Sequence, residues 1–261
     1  MSDLRSHRWA FVIAHPGHEL RAFHFLERAR PLVAVLTDGS GAHGVSRLSD
    51  TTRLLDETGA TCDSVYGGLT DAEAYACLMS GDGSRFAQTA QKLSETFDEH
   101  GITAVLTDAA EGYNPVHDVC RSIAEAAVRL RGARAPLLFE IDMVGHPDGA
   151  GAGIRLLLDE GAFARKLDAV GRYTALTGEA GAAFEQHGIE AFRTEFLRRS
   201  VIGALPPAGH RPYYEQVGEE RVRQGHYRCA LRYKEHVRPV LASLLAAGTA
   251  DFHAPPLDPL H

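Results

Sequence analysis

The sequence is short of the features that mark several classes of protein. Its cysteines are few and form no CxxC pair: Cys62, Cys77, Cys120 and Cys229. Because no signal-peptide pattern precedes them, they are typical of reduced thiols rather than a disulfide framework, and we expect a cytoplasmic protein. No apolar run approaches the ~20 residues of a membrane-spanning helix, so we expect no membrane partner.

Positive charge is also scarce, since the formal net charge is −7 at pH 7. Without a basic patch we expect no nucleic-acid partner. Lysine and arginine together number 27, yet lysine occurs only at Lys92, Lys166 and Lys234, and asparagine occurs only at Asn114. This bias is typical of a GC-rich, bacterial source and indicates nothing about function.

What is present is a globular composition, with 261 residues of which 44% are hydrophobic. Apolar runs alternate with helical patterns over residues 8–141. The predicted strands are 8–14, 31–37, 61–66, 102–107 and 136–141, and the predicted helices are 19–29, 46–58, 84–100 and 116–131. This alternation predicts an α/β protein with a Rossmann-like, doubly wound, mainly parallel sheet.

The last third of the chain has a different pattern. A glycine-rich stretch at residues 145–153 predicts a flexible break, and helical patterns follow over about 158–172, 179–200 and 226–246. We therefore predict a Rossmann-like core over residues 1–150 that carries a candidate metal site. Residues 151–261 are predicted to form a helical elaboration packed on the same domain.

The motif "AHPGHEL" at residues 14–20 follows the first predicted strand and contains His15 and His18. A second polar loop, "DAAEGYNPVHD" at residues 108–118, follows the fourth strand and contains His117. If these strands are neighbours, both loops lie at the carboxyl edge of the sheet, where open α/β folds bind ligands. The loop after the second strand adds Asp38 and His43.

Three neutral imidazoles with an open position are typical of a catalytic zinc site. His15, His18 and His117 are therefore the candidate metal ligands, with Zn²⁺ as the metal and another divalent ion such as Fe²⁺ as the alternative. Asp38, Asp108 or Asp118 could orient them. With 14 histidines in the chain, a pair three residues apart can also arise by chance. The prediction of a metal site therefore depends on His117 in the second loop.

These motifs resemble those of the PIG-L/LmbE-like deacetylases, a family of Rossmann-like zinc hydrolases that remove acyl groups from amino sugars and related amines. The family signature is Ala-His-Pro-Asp-Asp-Glu, then Thr-Asp/Asn-Gly, then His-Pro-Asp-His. Over residues 8–141 this chain reads Ala-His-Pro-Gly-His-Glu from Ala14, Thr-Asp-Gly from Thr37, and Asn-Pro-Val-His from Asn114. The resemblance implies that His15 and His117 bind zinc, with His18 in the place of the family's middle ligand, an aspartate.

Two departures from the family pattern concern catalysis. Gly17 stands where the resemblance places the general base, and Asn114 stands where it places a histidine that stabilises the oxyanion. Glu19, Glu111 and Asp118 are the nearby carboxylates that could replace the base. Asn114 could donate a hydrogen bond to an oxyanion or simply form the turn before Pro115.

Three functions remain open. The first is a metal-dependent hydrolase that deacylates an N-acylated small molecule, an amino sugar or specialised metabolite, with Asp38, Tyr113 and Glu140 as candidate substrate contacts. The second is a non-hydrolytic metalloenzyme on the same scaffold, such as a lyase, an isomerase or an enzyme of oxygen chemistry, because Gly17 supplies no base. The third is a binding protein without activity. The aromatic stretch 210–228 suggests a homo-oligomer or a pocket wall.

Overall fold

The computed structural model describes residues 4–41 and 44–247. In this part of the chain the strands are β1 (Trp9–Ile13), β2 (Leu32–Thr37), β3 (Thr61–Leu69), β4 (Ala104–Asp108), β5 (Leu137–Ile141), β6 (Gly153–Leu157) and β7 (Thr194–Arg199). They form one sheet in the order β3-β2-β1-β4-β5-β7-β6. The first five strands are parallel, whereas β7 runs antiparallel to both β5 and β6. The predicted Rossmann-like, mainly parallel fold is confirmed.

Nine α-helices lie within the described ranges. They are α1 (Phe23–Ala29), α2 (Leu48–Thr58), α3 (Asp71–Ser80), α4 (Ser84–Glu99), α5 (Pro115–Arg129), α6 (Glu160–Arg172), α7 (Thr177–His187), α8 (Tyr213–Arg223) and α9 (Arg238–Ala246). None of these helices is long and apolar enough to cross a membrane.

The two faces of the sheet carry separate apolar cores. Side chains alternate along β1, so Ala10 and Val12 pack with α3, α4, α5 and α9, while Trp9, Phe11 and Ile13 pack with α1, α2 and α6. The strands of the sheet centre are buried on both sides, as parallel strands between helical layers require. This arrangement fixes the carboxyl edge of β1 against that of β4, its hydrogen-bonded neighbour.

The sequence-based prediction is wrong in several parts of the last third. Residues 194–199 form β7 instead of the end of a helix. The strand β6 (Gly153–Leu157) was not predicted, and its first residue is the last one of the predicted flexible break. The helix predicted over 226–246 begins only with a π-helical turn at Tyr233–Val237 that leads into α9. The sheet thus continues past residue 150, and the predicted domain division there stays a prediction. His43 and residues 248–261 lie outside the described part of the chain.

Candidate metal centre and active site

The structure brings together the three histidines singled out in the sequence. His15 follows β1, His18 opens the 3-10 turn His18–Ala22, and His117 lies in the first turn of α5. The ring centroids are 5.2 Å apart for His15 and His18, 5.3 Å for His15 and His117, and 4.5 Å for His18 and His117. We call these three residues the histidine cluster.

Two carboxylates stand behind the histidine cluster. Nδ1 of His15 lies 3.0 Å from Oδ1 of Asp71 and 2.8 Å from Oγ1 of Thr37. Nδ1 of His18 lies 2.8 Å from Oδ2 of Asp108, which also accepts the backbone N–H of Ala14. A carboxylate that accepts the Nδ1–H of an imidazole leaves Nε2 as a free donor atom, the arrangement common behind metal-binding histidines.

Burial favours the neutral form of His15 and His117, the form that binds metals. Burial lowers the pKa of His15 by more than the hydrogen bond with Asp71 raises it. The pKa of His117 lies well below its ordinary value because of burial and the neighbouring His18 and His15. Burial would raise the pKa of the Asp71 carboxyl, but the hydrogen bonds from His15, Thr37 and the backbone N–H of Gly41 hold it low. A neutral imidazole beside an ionised carboxylate, as in His15 and Asp71, is the combination that a divalent metal requires.

Several potential metal-binding atoms at the histidine cluster have no partner in the part of the chain that the structure describes. Nε2 of His15 and Nδ1 of His117 are buried and have no hydrogen-bond partner among the described residues, and the same holds for Oδ1 of Asp108. Three imidazoles around one tetrahedral zinc, at about 2.1 Å from each nitrogen, would place their ring centroids roughly 5 Å apart. Within residues 4–41 and 44–247, however, no set of three or more His, Cys, Asp or Glu side chains is arranged as a ready metal site. The donor chemistry and the ring spacing therefore fit a divalent metal, whereas the atoms are not fixed in a coordination geometry.

Gly17, between the two histidines of the motif, has no room for a side chain. Its φ is +104°, and a Cβ built there would lie 2.0 Å from Cδ1 of Leu176 and 3.6 Å from Cζ of Tyr173. Both residues come from the segment between α6 and α7. The space next to the backbone where the family resemblance places a general base is thus filled by an apolar side chain.

Glu19 is fully buried and both of its oxygens have partners. Oε2 accepts the backbone N–H of Gly17 at 2.7 Å, and Oε1 accepts the hydroxyl of Thr51 at 2.7 Å, which in turn lies 3.1 Å from the hydroxyl of Tyr173. Burial raises the pKa of Glu19. These contacts hold the loop after β1 in place, and a catalytic role for Glu19 stays a prediction.

The loop after β4 places Asn114 and Asp118 at the start of α5. Oδ1 of Asn114 accepts the backbone N–H of Val116 at 2.9 Å, so Asn114 is the N-cap, with Pro115 at the first helical position. Oδ1 of Asp118 accepts the backbone N–H of Gly112 at 3.1 Å, and burial raises the pKa of Asp118 to about 7. The cap explains why α5 begins here and therefore why His117 faces His18.

Two other candidates are engaged in contacts that hold loops together. The carboxylate of Glu111 accepts three consecutive backbone N–H groups, those of Met143, Val144 and Gly145, at 2.6 to 3.0 Å. Oδ1 of Asp38 accepts the backbone N–H and the hydroxyl of Ser40. Catalysis by Glu111 and substrate binding by Asp38 stay predictions, and the structure gives both carboxylates a positioning role.

Glu140 and Tyr113 lie in contrasting surroundings. Glu140 is buried and bonds Nε of Arg121, Nη2 of Arg198 and the hydroxyl of Ser200. Tyr113 is 47% exposed, and its ring stacks on that of Tyr213 with centroids 5.2 Å apart and planes 7° apart. Only Tyr113 of these two presents a face to solvent, and neither predicted substrate contact is tested by the structure.

Sequence reasoning missed residues that the structure adds to the site. Asp71 was missed because its helix, α3, was not predicted, and a single aspartate after a glycine-rich stretch carries no signal. Leu176 and Tyr173 come from a distant part of the chain. Thr37 was quoted only as part of a motif, although its hydroxyl contacts both Nδ1 of His15 and the backbone oxygen of Ala14.

Comparison with known proteins supports the fold. No protein-family model and no curated protein matches the chain. Among solved structures, the A40926 pseudoaglycone deacetylase matches with a TM-score of 0.51 and 20% identity, covering 76% of this chain and 99% of its own. A triple mutant of a deacetylase of the teicoplanin biosynthetic pathway gives 0.50 and 19%, covering 74% and 98%. A conserved protein from Thermus thermophilus gives 0.50 and 17%, covering 78% and 99%.

These similarities define the class of fold: the chain is an α/β protein built like these two deacetylases over about three quarters of its length. At such identities the similarity concerns the fold alone. Membership of the PIG-L/LmbE-like family stays a prediction.

Proposed function

We propose that the protein is a metal-dependent hydrolase that removes the acyl group from an N-acylated small molecule, an amino sugar or specialised metabolite. The observation that carries the proposal is the histidine cluster, with a carboxylate behind each of His15 and His18. The fold shared with two proteins described as deacetylases supports the reaction class.

In this proposal His15, His18 and His117 hold a divalent metal, with zinc first and Fe²⁺ as the alternative, while Asp71 and Asp108 orient the first two rings. When bound, such a metal supplies Lewis acidity toward an acyl carbonyl and lowers the pKa of water. The chain's own contribution is to favour the neutral form of His15 and His117 by burial, and to align the rings of His15 and His18 by the hydrogen bonds to their Nδ1 atoms.

Asp118 is the carboxylate that we assign to proton transfer, because a single backbone N–H is its partner among the described residues. Glu19 and Glu111 have both oxygens occupied and position the two loops. Asn114 caps α5 through its oxygen, so its amide nitrogen is the group that would donate to an oxyanion. Tyr113 precedes Asn114, and we assign it to substrate contact because its ring is exposed to solvent.

The test combines metal content with hydrolysis. We expect purified protein to retain about one zinc or iron per chain by elemental analysis, and His117→Ala to lose it. His100→Ala, at an exposed histidine that ends α4, is the matched control and should retain the metal. A panel of N-acyl amino sugars should release free amine with the wild type alone. Absence of stoichiometric metal in the wild type, with no effect of His117→Ala, would falsify the proposal.

A second candidate function is a non-hydrolytic metalloenzyme on the same scaffold, such as a lyase, an isomerase or an oxygen-using enzyme. It is favoured by Leu176, which fills the space beside Gly17 where a base would stand. Hydrolysis in H₂¹⁸O separates the two functions, because a hydrolase places one solvent oxygen in the released acid. Robust hydrolysis with that label would exclude the second candidate.

The proposal also includes a cytoplasmic location and a small molecule as the partner. Cys62 and Cys229 are exposed free thiols, which persist in a reducing compartment. We also propose that the stretch 210–228 contributes to a homo-oligomer. A measurement of the molecular mass in solution tests this.

A further inference from the structure

A short irregular segment after β5 has most of its backbone polar groups bound by side chains from elsewhere. Residues 142–145, which we call the clamped segment, belong to no helix or strand. The carboxylate of Glu111 accepts the backbone N–H groups of three consecutive residues of this segment, at 2.6 to 3.0 Å. The guanidinium of Arg21 donates to the carbonyl oxygens of Asp142 and Gly145, at 2.8 to 3.0 Å. Backbone outside regular structure is thus satisfied by side chains that hold it in one conformation.

Two further contacts tighten the clamped segment. Nε2 of His187, at the end of α7, donates to the carbonyl oxygen of Val144 at 2.9 Å. A Cβ built on Gly145 would lie 3.1 Å from Oε1 of Glu111 and 3.1 Å from Oδ2 of Asp142. The carboxylate therefore lies directly against the backbone, and the segment is a packed joint between elements.

The two charged side chains of the clamp come from the two sides of the histidine cluster. Arg21 belongs to the 3-10 turn that His18 opens, and it follows His18 by three residues. Side chains three residues apart lie on the same side of such a turn. Glu111 lies in the loop between β4 and α5, the helix whose first turn carries His117. The clamped segment therefore connects the turn of His18 to the loop of His117.

His117 depends on this connection more than the other two rings do. Nδ1 of His15 and Nδ1 of His18 each face a carboxylate, whereas Nδ1 of His117 is buried and has no hydrogen-bond partner within residues 4–41 and 44–247. The position of the His117 ring is therefore set by packing and by the backbone that carries it. A zinc ion requires each ligand nitrogen at about 2.1 Å, so a small shift of this backbone relative to His18 changes the affinity for a metal.

We propose that Arg21 and Glu111 are positioning residues that set the spacing of His18 and His117 through the clamped segment, and with it the affinity of the histidine cluster for a divalent metal. Neither side chain contacts the metal or the substrate, since both act on the backbone of residues 142–145. Their effect on metal affinity rests on the proposed function, whereas the spacing of the two rings is a property of the protein alone.

The test measures metal affinity on folded protein, by competition between the metal-free protein and a chromophoric chelator for Zn²⁺ and for Co²⁺. Glu111→Gln leaves one acceptor oxygen, and Arg21→Met keeps the apolar stem without an N–H donor. We expect each to weaken binding about tenfold, the lower end of the range for groups that orient metal ligands. Arg21→Lys should recover part of the loss, because an ammonium group can still donate to one carbonyl. The absorption spectrum of bound Co²⁺ should change with the two weakened variants, since it reports coordination geometry.

Two controls and a double variant assign the effect to the clamped segment. Arg165 and Glu27 form an ion pair at the protein surface, so Arg165→Met and Glu27→Gln should bind metal as the wild type does. The double variant Arg21→Met/Glu111→Gln should lose less affinity than the product of the two single losses, because either change already releases the segment. Wild-type affinity in the folded single variants, equal losses in the controls, or a fully multiplicative loss would each overturn the proposal.

The outcomes also separate the clamp from the proposed function. Tight metal binding by the wild type and equally tight binding by both variants would reject the positioning role and leave the proposed function standing. A wild type that binds no metal would reject the proposed function, and the spacing is then measured in the metal-free protein. Nuclear Overhauser contacts between the rings of His18 and His117, whose centroids are 4.5 Å apart, should weaken in Glu111→Gln and in Arg21→Met. Unchanged contacts in both variants would reject the clamp.

Discussion

At Gly17 the backbone and the packing both exclude a side chain. The φ of +104° is a conformation that side-chain-bearing residues rarely adopt, and Leu176 occupies the volume that a Cβ would need. An acidic residue at this position therefore requires two changes, one in the loop and one in the segment between α6 and α7. The packing of the loop after β1 against Leu176 therefore requires glycine at position 17.

We expect Gly17→Asp to destabilise the protein by about 2 kcal/mol or more, because backbone strain of about 1–3 kcal/mol adds to the clash. Leu176→Ala alone should cost about 1–3 kcal/mol by loss of packing. In the double variant the loss should be smaller than the sum by about 1 kcal/mol, since Leu176→Ala removes the clash. Denaturant unfolding of all four proteins measures this coupling, and a Gly17→Asp protein as stable as the wild type would contradict the packing.

At the scale of elements, α3 connects the fold to the histidine cluster. The helix begins with a capping box in which Thr70 and Glu73 each bond the other's backbone N–H. This box fixes Asp71 at the first helical position, where its carboxylate reaches both Nδ1 of His15 and the backbone N–H of Gly41. The helix thus positions one ring of the candidate metal centre.

Asp71→Asn should weaken zinc binding by about 10–100-fold, the usual effect of losing a carboxylate behind a metal-binding histidine. Competition with a chromophoric chelator measures the affinity directly. Glu73→Gln, in the same turn of α3, is the control, because it perturbs the capping box and leaves the contact with His15 intact. An equal loss of affinity in both variants would show that Asp71 acts only through the stability of the helix.

The elements that the sequence predicted well are those with a strong local pattern. Apolar runs marked β1, β2, β4 and β5, and the topology rules for parallel sheets then placed the loops of His15 and His117 together. The pattern misled over β7, because Ile189, Phe192 and Phe196 recur at helical spacing although residues 194–199 pair with β5 and β6. Pairing with the neighbouring strands, rather than the local apolar pattern, determined the structure of residues 194–199.

Contacts between distant elements could not be predicted from local pattern. Gly153 looked like part of a flexible break, whereas its lack of a side chain lets β6 approach β7, since a Cβ there would lie 2.3 Å from the carbonyl oxygen of Leu197. Asp71 and Leu176 reach the site only through the packing of α3 and of the segment after α6. These contacts depend on three-dimensional neighbours that periodicity does not encode.

At the scale of the whole molecule, a buried ion network joins the parallel and antiparallel parts of the sheet. Glu140 on β5 bonds Arg121 on α5, Arg198 on β7 and Ser200, which follows β7. Arg121 also pairs with Glu125, one turn further along α5. The network therefore connects the helix that carries His117 to the strands of the last third.

The network makes stability depend on pH. Burial would raise the pKa of Glu140, but the charge of Arg121 and the hydrogen bonds of the network lower it below its ordinary value. A carboxyl group whose pKa is lower in the folded state contributes stability above its unfolded pKa of about 4.3. That contribution is lost as the pH falls through the folded pKa, so we expect acid to weaken this junction.

Glu140→Gln should lower the free energy of unfolding at pH 7 by about 2 kcal/mol, because the buried guanidinium of Arg121 loses one of its carboxylate partners and keeps Glu125. Glu57→Gln removes the same charge from an exposed pair with Arg172 and should cost less than about 1 kcal/mol. Urea unfolding at pH 7 and at pH 4 and below measures both. Since Gln does not titrate, the difference between wild type and Glu140→Gln should shrink in acid. A difference that stays constant with pH, or equal losses in the two variants, would mean that the charge of Glu140 does not hold the two parts of the sheet together.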